Sequence, residues 1–69
     1  MFFEHEGEEL LHVLTGAIEW QVGMDKYTLK PGDTIHFDAR IPHRGRSLAQ
    51  PATALAMMYS PSGAGPHLA

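Results

Sequence analysis

Apolar and polar residues alternate every second position through most of this chain, in short segments that close on glycine or proline, and that pattern admits strands and little else. In residues 17–22, Ile18, Trp20 and Val22 fall on one side and Glu19 and Gln21 on the other. This is the period of a half-buried strand. Residues 26–30 repeat it, with Tyr27 and Leu29 opposed to Lys26, Thr28 and Lys30. In residues 34–37, Ile35 and Phe37 face in and His36 faces out. Residues 9–14, 43–48 and 53–59 supply three more strands. Thr15-Gly16, Gly23-Met24-Asp25 and Pro31-Gly32-Asp33 read as turns, since proline presets φ and glycine reaches positive φ. No long amphipathic helix and no internal repeat interrupts the series. Six short antiparallel strands predict an all-β fold, a minimal jelly-roll or barrel. The domain is expected over residues 1–59, with residues 60–69 a loose tail.

Size limits how such a sheet is held. The chain has 69 residues, which allows one domain. Leu, Ile, Val and Phe make up only 15 of them, while eight are alanine. A domain this small buries about 60 % of its unfolded surface and is marginal by itself. Disulfides, a metal or a partner subunit usually make up the difference. There is no cysteine, which removes disulfides and thiol chemistry and leaves metal or association. The formal charge of −3 gives no basic face for nucleic acid. No apolar run approaches the ~18 residues of a membrane span. The start lacks the charged and apolar regions of a signal peptide, so a cytoplasmic setting is expected. Charged sequence begins abruptly at Glu4, as in a piece of a longer protein.

The chemistry lies with histidine. His5 and Glu9 are four residues apart and share a side if the chain is extended past Gly7. His43 follows Pro42 and shares a face with Gly45 and Ser47, opposite Arg44 and Arg46. If the two segments lie in one barrel, His5, Glu9 and His43 converge. Two histidines and a carboxylate with open positions are the set that holds non-haem iron, and they also accept Mn, Co, Ni or Zn. His12 falls opposite Leu11 and Val13, hence on the surface, and so does His36. His67 is given no role.

These residues also carry a resemblance. His5 to Gly16 resembles the first motif of the cupin family, H-x3-E-x6-G. The stretch from Gly32 through His43 to Ser47 is similar to the second, G-x5-P-x-G-x2-H-x3-N. Together they cover about two thirds of the chain. Phe3 stands where the family commonly has a first histidine, and Asp38, Arg40 and Ser47 replace the proline, glycine and asparagine of the second motif. The family's strands before the first motif are absent. The wording around Phe37 to Arg44 resembles the sensor domains of XRE-type helix-turn-helix regulators. The three-ligand pattern resembles cupin iron oxygenases and epoxidases. The resemblance implies a β-barrel with a divalent metal held by His5, Glu9 and His43.

Further expectations concern the rim and the partners. Arg40 at the barrel mouth is the candidate contact for a small anion, since guanidinium suits carboxylates. Ser47 is placed inward. Tyr59 shares parity with Leu55 and Met57 and is read as lining a pocket, with packing as the competing role. Trp20, Tyr27, Phe37 and Met57 are expected in the core. Gly45 should leave room beside His43 or mark a bulge. Three functions follow: a metal-binding cupin that takes a small anion; a metal-dependent cupin enzyme (oxygenase, isomerase or epimerase); and a truncated or interaction module. A homodimer is expected through the first strand, whose Leu10, His12 and Leu14 form a second, partly apolar face.

Overall fold

The computed structural model, which describes residues 1–61 and 67–68, is antiparallel β throughout. Its strands are β1 (Phe3–Glu4), β2 (Glu8–Val22), β3 (Asp25–Leu29), β4 (Thr34–Asp38), β5 (His43–Tyr59) and β6 (His67–Leu68). They form one sheet in the order β3-β2-β5-β1-β6, with β4 also paired to β2. β3 and β4 therefore lie end to end along the same edge of β2.

One expected turn, at Thr15-Gly16, is strand instead, and two pairs of expected strands are each continuous. The segments 9–14 and 17–22 run together as β2, and 43–48 and 53–59 run together as β5. The reason is a change of parity. Before residue 14 the inward residues are odd, Glu9, Leu11 and Val13; after residue 17 they are even, Ile18 and Trp20. Bulges between Val13 and Ile18 absorb the change. Gly16 sits there with φ 74°, a conformation that glycine adopts without a Cβ penalty. The Thr15 hydroxyl ties the bulge to β5, donating to the Pro51 carbonyl at 3.0 Å and lying 2.7 Å from Thr53 Oγ1.

The hairpin at Gly23-Met24 is as expected. Val22 pairs with Asp25, and Gly23 at φ 61° supplies the positive φ that a two-residue loop needs at its first position. The sequence-expected tail falls largely on residues 62–66 and 69, outside the described residues. His67–Leu68 pair with β1.

Leu11, Val13 and Leu29 form the buried core, with Ile18, Trp20, Ile35 and Ala54 against it. Phe37 and Ala39 are buried as well. Met57 and Tyr27, expected here, are 68 % and 43 % exposed. For Met57 the cause is again parity: β5 sets Ala54 opposite Val13 and Ala56 opposite Leu11. Cross-strand partners share a face, so Leu55, Met57 and Tyr59 lie outside.

Candidate metal centre

Bending brings the centre together. Glu9 is the second residue of β2, whereas His43 pairs with Val22 at the other end of the same β2–β5 ladder. On a flat sheet thirteen residues would separate them by about 43 Å. In the structure His43 Nε2 lies 3.5 Å from Glu9 Oε1, so the ribbon has curled on itself. β1 closes the curl, with Phe3 opposite His43. His5 is fixed just beyond, its N–H donating to the Ala39 carbonyl at 2.9 Å. The chain then turns into β2 at Gly7, φ 95°. A Cβ there would collide with the Tyr59 carbonyl.

His5, Glu9 and His43 are 2 %, 6 % and 3 % exposed, and one donor atom from each lies within 4.8 Å of the others. His5 Nε2 is 3.1 Å from Glu9 Oε1. His5 Nδ1 lies 3.1 Å from the Glu6 carbonyl and His43 Nδ1 lies 2.8 Å from the Ile41 carbonyl. A carbonyl only accepts, so each Nδ1 carries the proton and donates it. In the neutral rings both Nε2 lone pairs then point at a carboxylate oxygen. Three acceptors meet with no donor between them, an arrangement that a cation or added protons must satisfy. This is the tautomer that metal-ligating histidines are held in by outer partners. Ligands bonded at about 2.1 Å sit about 3.0–3.4 Å apart, near the 3.1 and 3.5 Å found here. The residues fit a divalent cation.

Aromatic rings wall the centre. Phe37 packs on the His43 ring at 4.8 Å between centroids, and Trp20 at 6.0 Å. The room expected beside Gly45 is filled by Trp20, whose ring a Cβ on Gly45 would strike. Trp20 Nε1 is buried and has no hydrogen-bond partner among the described residues. Phe37 also lines a cleft of about 700 Å³ between β3 and β4, together with Tyr27, Leu29, Ile35 and Ile41; His5, Glu9 and His43 are not among its lining residues. Sequence reasoning missed this cleft, because it depends on β3 and β4 sharing one edge of β2.

Residues 2–58 match the family description of the cupin domain. The chain is a cupin. No curated protein and no solved structure matches it. Among the described residues no helix is long and apolar enough to cross a membrane.

Of the other expected site residues, Arg40 lines a small cavity with His5, and Tyr59 lines one with Glu9. Arg40 is exposed, and its guanidinium is engaged by Asp38: Nε donates to Oδ1 at 3.0 Å and Nη2 to Oδ2 at 2.8 Å. Those hydrogen bonds, with one from the Arg40 backbone, hold the Asp38 carboxyl down to about 2. An anion at Arg40 would compete with this carboxylate. Ser47 is on the inner face but four residues along β5 from His43, in an exposed groove with Ile18, Trp20 and Arg46. Tyr59 stands opposite Glu8 on the outer face and lines a groove with Arg40 and Asp38. The parity that placed it toward the centre is reversed by the irregularity in β5. His12 and His36 take outer positions, the first 2.7 Å from Thr34 Oγ1 and the second 2.9 Å from Glu8 Oε1.

Proposed function

We propose that this cupin binds one divalent metal ion through His5 Nε2, a Glu9 carboxylate oxygen and His43 Nε2, and takes a small anion on the ion's open positions. The observation that supports this is the convergence of three buried acceptors, two of them imidazole Nε2 atoms whose rings commit their Nδ1 protons elsewhere. A buried carboxylate without a cation or donor is costly. Arg40 does not enter the reading, since Asp38 occupies it; the anion would bind the ion directly. A bound ion supplies Lewis acidity. Two histidines and one carboxylate admit Fe, Mn, Co, Ni or Zn, with availability deciding.

Metal analysis of the purified protein tests the reading, followed by calorimetric titration of the metal-free form with Mn²⁺, Ni²⁺ and Zn²⁺. One ion per chain, lost in His43→Ala, is the expected result. Absence of binding by all three ions overturns it. A second reading, a metal-dependent enzyme, draws on the cleft lined by Phe37, whose ring also packs on His43, because its volume suits a small-molecule site. Oxygen uptake with Fe²⁺ and candidate organic acids separates the two. A regulatory role, as in the sensor domains the sequence resembles, uses the same ion without turnover.

A further inference from the structure

β5 is 17 residues long, and only one of its edges is filled along its length. β2 pairs with it from His43 to Tyr59. On the other edge, among the described residues, β1 meets it at His43 alone. Open edges are normally blunted by charge, proline, a bulge or a covering loop. Residues 52–59 contain no charge and no proline, and residues 47–61 contain no charge at all. The outer face of the same stretch is apolar, with Leu55, Met57 and Tyr59 57 %, 68 % and 63 % exposed. Leu10, opposite Met57, continues the apolar face onto β2. β2, by contrast, is paired by β5 on one side and by β4 and β3 over most of the other. It offers little edge to exchange.

We infer that a second copy of this chain pairs with the free edge of β5, antiparallel about a two-fold axis near Ala56. Such an axis sets Leu55 of one copy opposite Met57 of the other, twice, and Thr53 opposite Tyr59. The edge is then complementary to itself, as a closed two-fold contact requires. Other registers are worse. An axis near Gly45 would set Arg44 of one copy against Arg46 of the other, and like charges directly opposite are destabilising. An axis near Pro51 would put a residue with no N–H at the centre of the ladder. A standard interface takes about 800 Å² from each partner, less than a fifth of the 4462 Å² surface. The alanine-rich inner side adds little core, so what the chain gains by pairing is a filled edge and lateral contact between the two outer stripes.

Light scattering at micromolar concentration tests this on wild type and Met57→Lys. The expected result is twice the 7.6 kDa chain mass for wild type and a folded, single-chain mass for the variant. A wild type of single-chain mass overturns the inference and leaves the edge to some other polypeptide. A doubled mass that Met57→Lys does not change also overturns it, placing the contact elsewhere. Should Met57→Lys lose its circular-dichroism signal, Ala56→Cys decides. Oxidation to a covalent dimer, not seen with Thr28→Cys on β3, supports the two-fold. Failure of Ala56→Cys to crosslink rejects it.

Discussion

The protons on His5 Nδ1 and His43 Nδ1 determine what the site accepts, because they leave both Nε2 atoms as acceptors facing Glu9. Glu9→Gln removes the negative charge but keeps the shape and adds a donor. It should weaken metal binding by more than the roughly 10–100-fold that outer-shell changes cost, measured by calorimetry. The metal-free variant should melt no lower than metal-free wild type, since the amide can donate to an imidazole. A marked fall would mean that Glu9 serves packing rather than a cation. Asp38 gives a prediction of opposite character, at the surface. Its carboxyl is lowered from 3.8 to about 2 by the Arg40 hydrogen bonds. A depressed acid stabilises the fold above its unfolded value, and that contribution is lost as pH falls through the folded value. The stability gap between wild type and Asp38→Asn should therefore be flat above pH ~4 and close as pH approaches 2, read by urea melts across that range. The pair is exposed, so the gap is small.

Bending at the level of the strand is what Gly16 supplies. A side chain there meets the Ala49 and Pro51 carbonyls, in a backbone conformation that costs an L-residue about 1–2 kcal/mol. Gly16→Ala should lose at least that much in a urea melt. It should also weaken metal binding, since the bulge is where β2 bends to bring Glu9 to His43. Equal affinity in a destabilised variant would show that the curl does not depend on this bulge. Gly45 acts differently, by letting the Trp20 ring cross β5. Gly45→Ala must push the ring off its place beside His43. Trp20 is the one tryptophan, so its emission reports the change directly, and an unmoved spectrum would contradict the packing described.

For the whole molecule, few large side chains are fully enclosed, and a bound ion would carry a large share of stability. A ligand at a hundred times its dissociation constant adds about 2.7 kcal/mol. For a chain of this size each kcal/mol moves Tm by roughly 4–8 °C. Saturating metal should then raise Tm by roughly 10 °C or more, and a chelator should reverse the rise. Metal binding also releases protons from its ligands, so affinity should fall as pH is lowered from neutrality. A melt unchanged by either treatment in protein shown to hold metal would separate the centre from folding.

Alternation settled the fold class, and the spacings around His5, Glu9 and His43 named the three residues that meet, because both are local properties of the chain. Neighbouring side chains on a strand point to opposite faces whatever the strand is paired with. The same count failed across Gly16 and across Gln50-Pro51, where irregular stretches shift the parity. That is why Met57 and Tyr59 were placed on the wrong face of β5, and why four short strands were read where there are two long ones. The open edge of β5, the burial of both edges of β2, and the cleft between β3 and β4 depend on which strands are neighbours. So does the capture of Arg40 by Asp38, which turns on how one loop folds over its own carboxylate. A sequence states which face each residue prefers; only pairing between distant segments decides what that face meets.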